Sequence, residues 1–397
     1  MSDLAYLDFA ATSAVRPAAV SRAVAGYIDE IGASPGRGGH RLAVAAGRVA
    51  LQCRQRVAKL LGLPGGPDRI AFTANATHAL NQAIWGTVGQ GERVVVTSFD
   101  HNAVLRPAAR LARERATAVE LIPGAPDGSI DEEALQRAVD GARLVCLNAA
   151  SNVLGTVLDT RRFCAMAREA GALSLVDAAQ IAGHIPFDGS DIGADMIAFS
   201  GHKGMLGPQG IGGLWVREGI DVEPLVTGGT GGDSLLREMP PSLPDRLEAG
   251  TLNGPAMAGL IAGIDAVLAE GVVALHARLA ELKRELREGM RSIGGVEVLS
   301  PAAPEGLPIV LIRSSFIDAA ALSARLDREH GVLTRTGLHC APEAHRVLGT
   351  MTSGAVRFSL GWASTSQHVQ RALDAVAAIV AAPSLTRTAW KRRSQTP

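Results

Sequence analysis

The feature that most constrains the fold is a repeated alternation of short apolar runs with segments of helical periodicity. The apolar runs are rich in Val, Leu and Ile, and polar or glycine-containing turns follow them, as is typical of strands. The strands predicted in this way are Arg69–Thr73, Arg93–Ser98, Leu144–Ala149, Ala172–Val176, Met196–Ser200 and Gly212–Val216. Segments of helical length lie between several of them, namely Asn102–Arg115, Asp131–Val139 and Thr160–Ala170. The alternation predicts an α/β fold with a doubly wound, mainly parallel sheet.

The pattern changes after Asn253, where one long helical region is predicted from about Gly254 to Ile293. Beyond it lie a strand, a helix, a second strand and a last helix, predicted at Pro308–Arg313, Asp318–His330, Ala355–Leu360 and Ser366–Ala381. This order predicts a smaller α+β domain. We therefore expect an N-terminal arm over residues 1–15 that packs with the small domain, a large domain over 16–255, the small domain over 256–385 and a flexible tail over 386–397.

Charge and composition exclude several classes of protein. The 39 Lys and Arg residues balance the 39 Asp and Glu residues, so no attraction to nucleic acid or to an anionic membrane is expected. The most apolar stretch, Gly254 to Leu275, is interrupted by Asp265 and Glu270, which argues against a membrane span. The N-terminus lacks the pattern of a signal peptide, and the four cysteines form no CxxC pair. The expected compartment is the cytoplasm.

Polar residues follow five of the predicted strands. Ligands of doubly wound sheets bind beyond the carboxyl ends of the strands, so these residues are expected at one edge of the sheet. The five segments are Asn75-Ala76-Thr77, Asp100-His101-Asn102, Ser151-Asn152, Asp177-Ala178-Ala179-Gln180 and Ser200-Gly201-His202-Lys203. Helix N-caps account for some of them, such as Thr77 and Asp177. They do not account for an imidazole, a carboxamide and an amine at the same edge.

One lysine differs from the others in its setting. The chain has four lysines, at positions Lys59, Lys203, Lys283 and Lys391. Three of them lie on an amphipathic helix, in a charged run and near the C-terminus, and are predicted to be solvated. Lys203 instead follows an apolar strand and lies between Gly201 and Gly204. An amine in a semi-buried cleft can lose its proton and form a Schiff base, whereas the alternative is an edge lysine paired with a carboxylate. The proximity of Asp177 and His101 favours the Schiff base.

This set of residues suits pyridoxal phosphate, which needs an amine for its aldehyde and a carboxylate for its ring nitrogen. Lys203 and Asp177 are the predicted amine and carboxylate. Backbone N–H groups of Ala76 and Thr77, at a helix start, would bind the phosphate. His101 would stack on the ring, and Gln180 would donate to its hydroxyl. A dinucleotide would require GxGxxG after a strand, and no strand end here has that spacing.

Motifs in a consistent order extend these segments over nearly the whole chain. They are Tyr6–Thr12, Asn75–Thr77, Asp100–Asn102, Ser151-Asn152, Asp177–Gln180, Gly201–Lys203, Glu248–Asn253, Arg335–Ala341 and Val356-Arg357. In this order and spacing the chain resembles the class V aminotransferases, which belong to the fold-type-I pyridoxal phosphate enzymes. Within that family it most resembles the cysteine desulfurases of type II.

The resemblance implies a role for each matching residue. Lys203 would hold the cofactor aldehyde, His101 would stack on the ring and Asp177 would pair with the pyridine nitrogen. The phosphate would be bound by Ser200, His202 and Thr77, with Thr251 of the partner subunit of a homodimer. The substrate would be bound by Asn152 and Arg357 at its carboxylate and by Arg335.

One cysteine differs from the others. Cys53, Cys146 and Cys164 lie on helical stripes or within a strand and are predicted to be buried small hydrophobes. Cys340 follows His339 and lies near Arg335, and a positively charged setting raises the thiolate fraction of a cysteine. The alternative is a packed loop cysteine.

The segment Arg335–Ala341 resembles the RxGHHCA loop that carries the cysteine nucleophile in type II desulfurases. Leu338 replaces the first histidine of that pattern, and Phe9 stands where the N-terminal motif usually has Asn or Ser. Both departures concern substrate choice and sulfur transfer rather than the cofactor set. His339 and His345 lie near Cys340, but further ligands at zinc spacing are missing, so no metal is expected.

The predicted function is a cysteine desulfurase that converts L-cysteine to L-alanine. The sulfur would become a persulfide on Cys340 and then pass to an acceptor protein or small thiol. The sequence leaves three alternatives open. The first is a related class V reaction: a selenocysteine lyase, a cysteine sulfinate desulfinase, another carbon–sulfur lyase or a transaminase. The second is a catalytically silent partner protein that binds pyridoxal phosphate, and the third, disfavoured by the missing fingerprint, is a nicotinamide-dependent dehydrogenase.

Overall fold

The computed structural model describes residues 4–36, 38–231, 235–302 and 305–381, so the expected tail over 386–397 lies outside the described residues. The strands are β1 Ala5–Tyr6, β2 Ile70–Thr73, β3 Arg93–Thr97, β4 Ala118–Ile122, β5 Leu144–Asn148, β6 Leu173–Asp177, β7 Met196–Ser200, β8 Gly212–Val216, β9 Val296–Val298, β10 Ile309–Ser314, β11 Val332–Leu333, β12 Arg335–Gly337 and β13 Ala355–Ser359. The α-helices are α1 Ala18–Gly26, α2 Arg41–Leu61, α3 Ala76–Thr87, α4 Asn102–Arg115, α5 Glu132–Ala138, α6 Thr160–Glu169, α7 Gly189–Ile192, α8 Gly254–Glu270, α9 Val272–Ser292, α10 Ala319–His330, α11 Pro342–Val347 and α12 Ser366–Ala381. Short π or 3₁₀ turns cover Tyr27–Ile31, Pro67–Arg69 and Asp245–Leu247.

A seven-stranded sheet in the order β2-β8-β7-β6-β5-β3-β4 lies within the predicted large domain. The strands from β7 to β4 are parallel, and β8 is antiparallel to both β7 and β2. The predicted doubly wound, mainly parallel sheet is therefore confirmed. Because its parallel strands all run the same way, their carboxyl ends meet at one edge.

Both faces of this sheet are buried, which explains why its strands are apolar runs without alternation. In β5, Val145 and Leu147 contribute to one hydrophobic cluster, while Leu144 and Cys146 contribute to another. Successive side chains of a strand point to opposite faces, so each strand supplies both clusters. Helices cover the two faces and hold the sheet edge in a fixed position.

Two elements differ from the prediction. The edge strand β4 was not predicted, since most of its residues are exposed and Glu120 interrupts its apolar run. The predicted single helical region from Gly254 to Ile293 is two helices, because Gly271 has a φ of 84° that an L-residue rarely adopts. Among the described residues no helix has by itself the length and apolarity to cross a bilayer; α8 and α9 meet that standard only as a pair, and they are bent by 78°.

The predicted small domain contains an antiparallel sheet in the order β12-β13-β10-β9. Residues 5–7 join it, because β1 pairs in parallel with β11 and the Ser359 N–H donates to the Leu7 carbonyl. The N-terminal segment thereby crosses from the small domain to the edge of the large sheet, where Ser13 Oγ donates to the Lys203 carbonyl.

The solvated position predicted for Lys283 is wrong. This side chain is only 3% exposed and continues the buried stripe of α9 formed by Leu279, Leu282 and Leu286. The aliphatic stem of a lysine can extend such a stripe. Burial lowers the pKa of Lys283 to about 8. Lys59 is exposed as predicted, and Lys391 lies outside the described residues.

Candidate active site

A cavity of about 260 Å³ lies at the carboxyl ends of the large sheet. The predicted site residues that line it are Ala76, Thr77, His101, Asn152, Asp177, Gln180, Ser200, His202, Lys203 and Arg335. Ala10, Ala11 and Asn148, which were not predicted, line it as well. The residues contributed directly by strand ends and the turns after them, His101, Asp177, Ser200 and Lys203, are called the strand-end group below.

Lys203 is partly accessible from the cavity and sits in the tight turn after β7. The turn needs glycine at position 204, since a Cβ there would clash with the Ala182 carbonyl. Burial lowers the pKa of Lys203 to about 8, and the nearby guanidinium of Arg357 acts in the same direction, while Asp177 opposes them. The amine therefore loses its proton far more readily than a solvated lysine.

Asp177 is the last residue of β6, and its carboxylate accepts the Ala179 N–H over 2.9 Å. Burial raises the pKa of Asp177, and the charge of Lys203 counteracts that rise. A second carboxyl group, on Asp100, is fully buried close by, and burial raises its pKa to about 8. Its Oδ2 accepts the Thr97 N–H over 2.6 Å, and its Oδ1 has no hydrogen-bond partner among the described residues.

His101 caps the N-terminus of α4 through its ring. Its Nδ1 lies 3.0 Å from the Ala103 N–H and must therefore accept, so the ring proton is on Nε2. Burial, helped by the charge of Lys203, lowers the pKa of His101 to about 4. The site thus presents a neutral imidazole at neutral pH.

The start of α3 forms the end of the cavity that suits an anion. Asn75 caps the helix by accepting the His78 N–H, and the Ala76 N–H donates to Ser200 Oγ over 3.1 Å. Ser200 accepts in this contact, so its hydroxyl hydrogen is available to a ligand. Thr77 lies in the first turn, where backbone N–H groups lack partners within the helix. Together these donors favour a negatively charged group.

The remaining predicted cofactor residues take different positions. Gln180 lines the cavity and donates from Nε2 to the Ala10 carbonyl over 3.0 Å. His202 also lines it, and its Nδ1 lies 3.1 Å from Thr12 Oγ1. Thr251 is exposed and does not line the cavity of its own chain.

Cys340 reaches the site from the small domain. It lies in a turn over Leu338–Ala341, called the Cys340 turn below, and its carbonyl accepts the Asn102 N–H over 2.7 Å. Arg335 Nη2 donates to the Cys340 sulfur over 3.2 Å. A cation that lines the cavity is thus in contact with the thiol. The other cysteines are buried as predicted, and burial raises the pKa of Cys164 to about 12.

Arg357 and Asn152 form a buried polar group next to the Cys340 turn. Arg357 donates to the Asn152 carbonyl over 2.9 Å and pairs with Asp8 over 2.7 Å, a contact that was not predicted. The Asn152 side chain donates to the His339 carbonyl over 2.7 Å. Two buried atoms of this group, Arg357 Nε and Asn152 Oδ1, have no hydrogen-bond partner among the described residues. Such atoms are expected to bind a ligand or water.

The two departures from the desulfurase pattern lie in different settings. Phe9 is 1% exposed and packs edge-on against Tyr6 and over Gly361, where a Cβ would clash with its ring. Phe9 does not line the cavity. Leu338 starts the Cys340 turn and is half-buried. No three or more His, Cys, Asp or Glu side chains in the described part of the chain are grouped to hold a metal ion.

Sequence reasoning missed Asp8, Asp100 and Asn148. Asn148 is the last residue of β5 and lies directly opposite Asp177 in the sheet register. Its side chain donates to the Phe99 carbonyl over 2.6 Å. Its position as the last residue of an apolar strand was a usable signal. Asp100 and Asp8 lay within recognised motifs, but only the fold shows that one is buried beside Asp177 and the other pairs with Arg357.

Comparison with known proteins identifies the family. A family model described as aminotransferase class-V matches residues 5–372. A protein named "Probable cysteine desulfurase" from Methanothermobacter thermautotrophicus is 35% identical over 93% of this chain and 93% of its own length. A "Cysteine desulfurase" from Haloferax volcanii is 32% identical over 94% and 88%, respectively.

The solved structures agree with the sequence comparison. The apo structure of the cysteine desulfurase from Thermococcus onnurineus NA1 superposes with a TM-score of 0.88 at 30% identity, covering 96% of this chain and 95% of that one. The chain therefore belongs to the class V aminotransferase family, and over nearly its whole length it is similar to proteins named cysteine desulfurases.

Proposed function

We propose that this protein is a pyridoxal phosphate-dependent cysteine desulfurase that forms L-alanine and leaves the sulfur of L-cysteine on Cys340. The observation that carries the proposal is the contact between Arg335, which lines the cavity of Lys203, and the Cys340 sulfur. A readily deprotonated amine and a cation-bound thiol thereby belong to one site. The relatives named cysteine desulfurases support the same conclusion.

The residues present fit pyridoxal phosphate. Lys203 would hold its aldehyde and Asp177 its ring nitrogen, and His101 would stack on the ring. The Thr77 N–H at the start of α3 and the Ser200 hydroxyl would bind its phosphate, while the Ala76 N–H, which was also predicted to do so, donates to Ser200 Oγ. Gln180 and His202 line the same cavity. When bound, pyridoxal phosphate supplies an electron sink that stabilises negative charge at the substrate Cα.

The phosphate site is proposed to be completed by a second subunit. Thr251 is exposed and does not line the cavity of its own chain, which fits a contact with another molecule. We accordingly propose a homodimer in which Thr251 of the partner subunit contacts the phosphate.

The substrate carboxylate would bind at the buried polar group formed by Asn152 and Arg357. Arg357 Nε lacks a partner among the described residues, and a planar guanidinium suits a carboxylate. The adjacent Lys203 Nζ would take the proton from the substrate Cα, because its lowered pKa of about 8 leaves part of the amine neutral at neutral pH.

Cys340 would then attack the sulfur of the substrate. A sulfur–sulfur bond forms as the substrate carbon–sulfur bond breaks, and hydrogen replaces the sulfur on the carbon that leaves as alanine. Cysteine and the Cys340 thiol thus become alanine and a Cys340 persulfide without any further oxidant or reductant. Arg335 Nη2, 3.2 Å from the sulfur, would stabilise the thiolate that attacks. The persulfide would finally pass to an acceptor thiol.

A comparison of Cys340→Ala with Cys164→Ala tests the proposal. Both proteins should show the visible absorbance of bound pyridoxal phosphate. With L-cysteine, the Cys164→Ala protein should form alanine and a persulfide that mass spectrometry locates on residue 340. The Cys340→Ala protein should form no persulfide and release alanine at least roughly 100-fold more slowly. Full alanine release by Cys340→Ala from L-cysteine would refute the assignment. Full release only from selenocysteine or cysteine sulfinate would favour those related lyase reactions.

A further inference from the structure

The Cys340 turn has a backbone conformation that its own residues disfavour. The Ala341 N–H donates to the Leu338 carbonyl over 2.9 Å. Between them, His339 and Cys340 have φ values of 49° and 58°, in the left-handed region. That region costs an L-residue other than glycine or asparagine about 1–2 kcal/mol. Contacts outside the turn must therefore hold Cys340 in place.

The large domain holds the two central carbonyl groups of the turn. The Asn152 side chain donates to the His339 carbonyl, and the Asn102 N–H donates to that of Cys340, each over 2.7 Å. These contacts fix the two oxygen atoms on the side of the large domain. They do not hold the opposite side, where the His339 ring enters the small domain.

On that side a chain of hydrogen bonds runs through the small domain. His339 Nε2 lies 3.2 Å from the Arg335 carbonyl, and His339 Nδ1 lies 3.0 Å from His345 Nε2. His345 Nδ1 lies 2.7 Å from Thr350 Oγ1. The two rings are stacked at 5.2 Å, and none of the three side chains is more than 2% exposed. Water therefore does not compete for these contacts.

The Arg335 carbonyl at one end of this series of hydrogen bonds determines which atom donates in each of them. A backbone carbonyl can only accept, so His339 Nε2 must carry the proton and His339 Nδ1 must be an acceptor. His345 Nε2 then donates, which leaves its Nδ1 as an acceptor for the Thr350 hydroxyl. The Thr350 hydroxyl lies 2.7 Å from His345 Nδ1 and 3.4 Å from the His345 carbonyl, so it donates to the nearer nitrogen and thereby favours one tautomer of both histidines. Both rings are neutral, because burial lowers the pKa of His339 to about 2 and that of His345 to about 4.

We infer that Thr350 and His345 are positioning residues that hold Cys340 in its left-handed turn by selecting the tautomer of His339. The inference deepens the proposed function, since it rests on Cys340 being the residue that accepts the sulfur. Without the Thr350 donor, His345 Nδ1 is a buried acceptor without a partner, and only the Arg335 carbonyl at the other end still favours the tautomer in which His345 donates to His339. In the other tautomer His345 Nε2 cannot donate to His339. The His339 ring then loses its hydrogen bond to His345 or its hydrogen bond to the Arg335 carbonyl, and the Cys340 turn is held less firmly.

The test compares Thr350→Val with Thr350→Ser in the protein loaded with pyridoxal phosphate. Valine keeps the shape of threonine without its hydroxyl, and serine keeps the hydroxyl. For Thr350→Val we expect about tenfold faster hydrogen exchange at the Ala341 amide and about tenfold slower persulfide formation, with an unchanged KM for L-cysteine. Tenfold corresponds to ~1.4 kcal/mol, the order of one buried hydrogen bond. Thr350→Ser should stay within about twofold of the unmodified protein, and absorbance of the bound cofactor should be the same in all three.

Other results have distinct meanings. The inference would be overturned if Thr350→Val and the unmodified protein had the same hydrogen exchange at the Ala341 amide and the same rate of persulfide formation. It would also be overturned if Thr350→Ser lost as much persulfide formation as Thr350→Val. If Thr350→Val fails to bind cofactor, His345→Gln is compared with His345→Leu, because glutamine keeps an N–H donor and leucine does not. Equal hydrogen exchange at the Ala341 amide in these two variants would overturn the inference. If the unmodified protein forms no persulfide, the proposed function fails, while hydrogen exchange at Ala341 still decides whether Thr350 holds the turn.

Discussion

The strand-end group lines the cavity and the Cys340 turn contacts it through Arg335, but the two regions are held in place by different means. Asp177 and Ser200 end β6 and β7 and are positioned by the register of a sheet buried on both faces. Cys340 lies in a left-handed turn that depends on side chains distant in sequence, such as Asn152. The contrast suggests that losses in the strand-end group remove cofactor chemistry, whereas losses around the turn spare the cofactor and impair sulfur transfer.

The largest expected effect is that of Lys203→Ala, which tests the strand-end side of the comparison. Removal of this amine should abolish the visible absorbance of bound cofactor and lower alanine formation by roughly 10³-fold or more, since both cofactor attachment and a general base are lost. Lys59→Ala is the matched control, because Lys59 is exposed on α2 and should retain full activity. Alanine formation by Lys203→Ala at the level of this control would contradict the assignment.

A smaller effect is expected for Arg335→Gln, which tests the side of the Cys340 turn. Loss of a charged donor to the sulfur should slow alkylation of Cys340 and persulfide formation by about 10–100-fold, while the cofactor absorbance stays unchanged. Arg313→Gln removes an exposed arginine paired with Glu297 on the small domain and serves as the control. Loss of cofactor absorbance in Arg335→Gln alone would show that the two regions are not separable in this way.

The sequence was informative about the fold wherever regular periodicity decides structure. Predicted Met196–Ser200, Gly212–Val216, Asn102–Arg115 and Ser366–Ala381 coincide with β7, β8, α4 and α12. The edge strand β4 was missed because most of its residues are exposed and Glu120 interrupts its apolar run, so it lacks the uniform apolar run of its neighbours. The break between α8 and α9 depends on a single glycine conformation at Gly271. Such a conformation is one of several open to glycine until packing selects it.

In the candidate site, too, some residues could be predicted from the sequence and others could not. The residues at strand ends were predictable because parallel strands bring their carboxyl ends to one edge. The Cys340 turn was recognisable only as a motif, since two non-glycine residues with positive φ have no signature in sequence periodicity. Its contacts join residues as far apart as Asn152 and His339. The burial of Asp100 and of Lys283 was equally hidden, because both depend on which neighbours the fold places around them.

The pH dependence of cofactor capture tests the lowered pKa of Lys203. Because burial lowers its pKa to about 8, the neutral, reactive amine should accumulate as the pH rises to about 8 and then stay constant. Capture of pyridoxal phosphate by the apoprotein should accelerate about tenfold per pH unit below that point and level off above it. The rate is measured from the growth of visible absorbance, with Nα-acetyl-lysine as the reference amine. A rate that, like the reference, still rises above pH 9 would mean that the Lys203 amine is solvated.

The smallest expected effect concerns stability and Asp100, the buried carboxyl group beside the strand-end group. Burial raises the pKa of Asp100 from 3.8 in the unfolded chain to about 8 in the fold, so its contribution to stability is fully present below pH 4 and declines as the pH rises toward 8. Asp100→Asn cannot ionise and should escape this decline. Its Tm relative to the unmodified protein should therefore increase between pH 5 and 8, by on the order of 1–2 °C per pH unit. Asp68→Asn, at an exposed position, should give a difference that does not change with pH. A Tm difference for Asp100→Asn that also does not change with pH would mean that Asp100 is ionised in the fold and that a second negative charge lies beside the strand-end group.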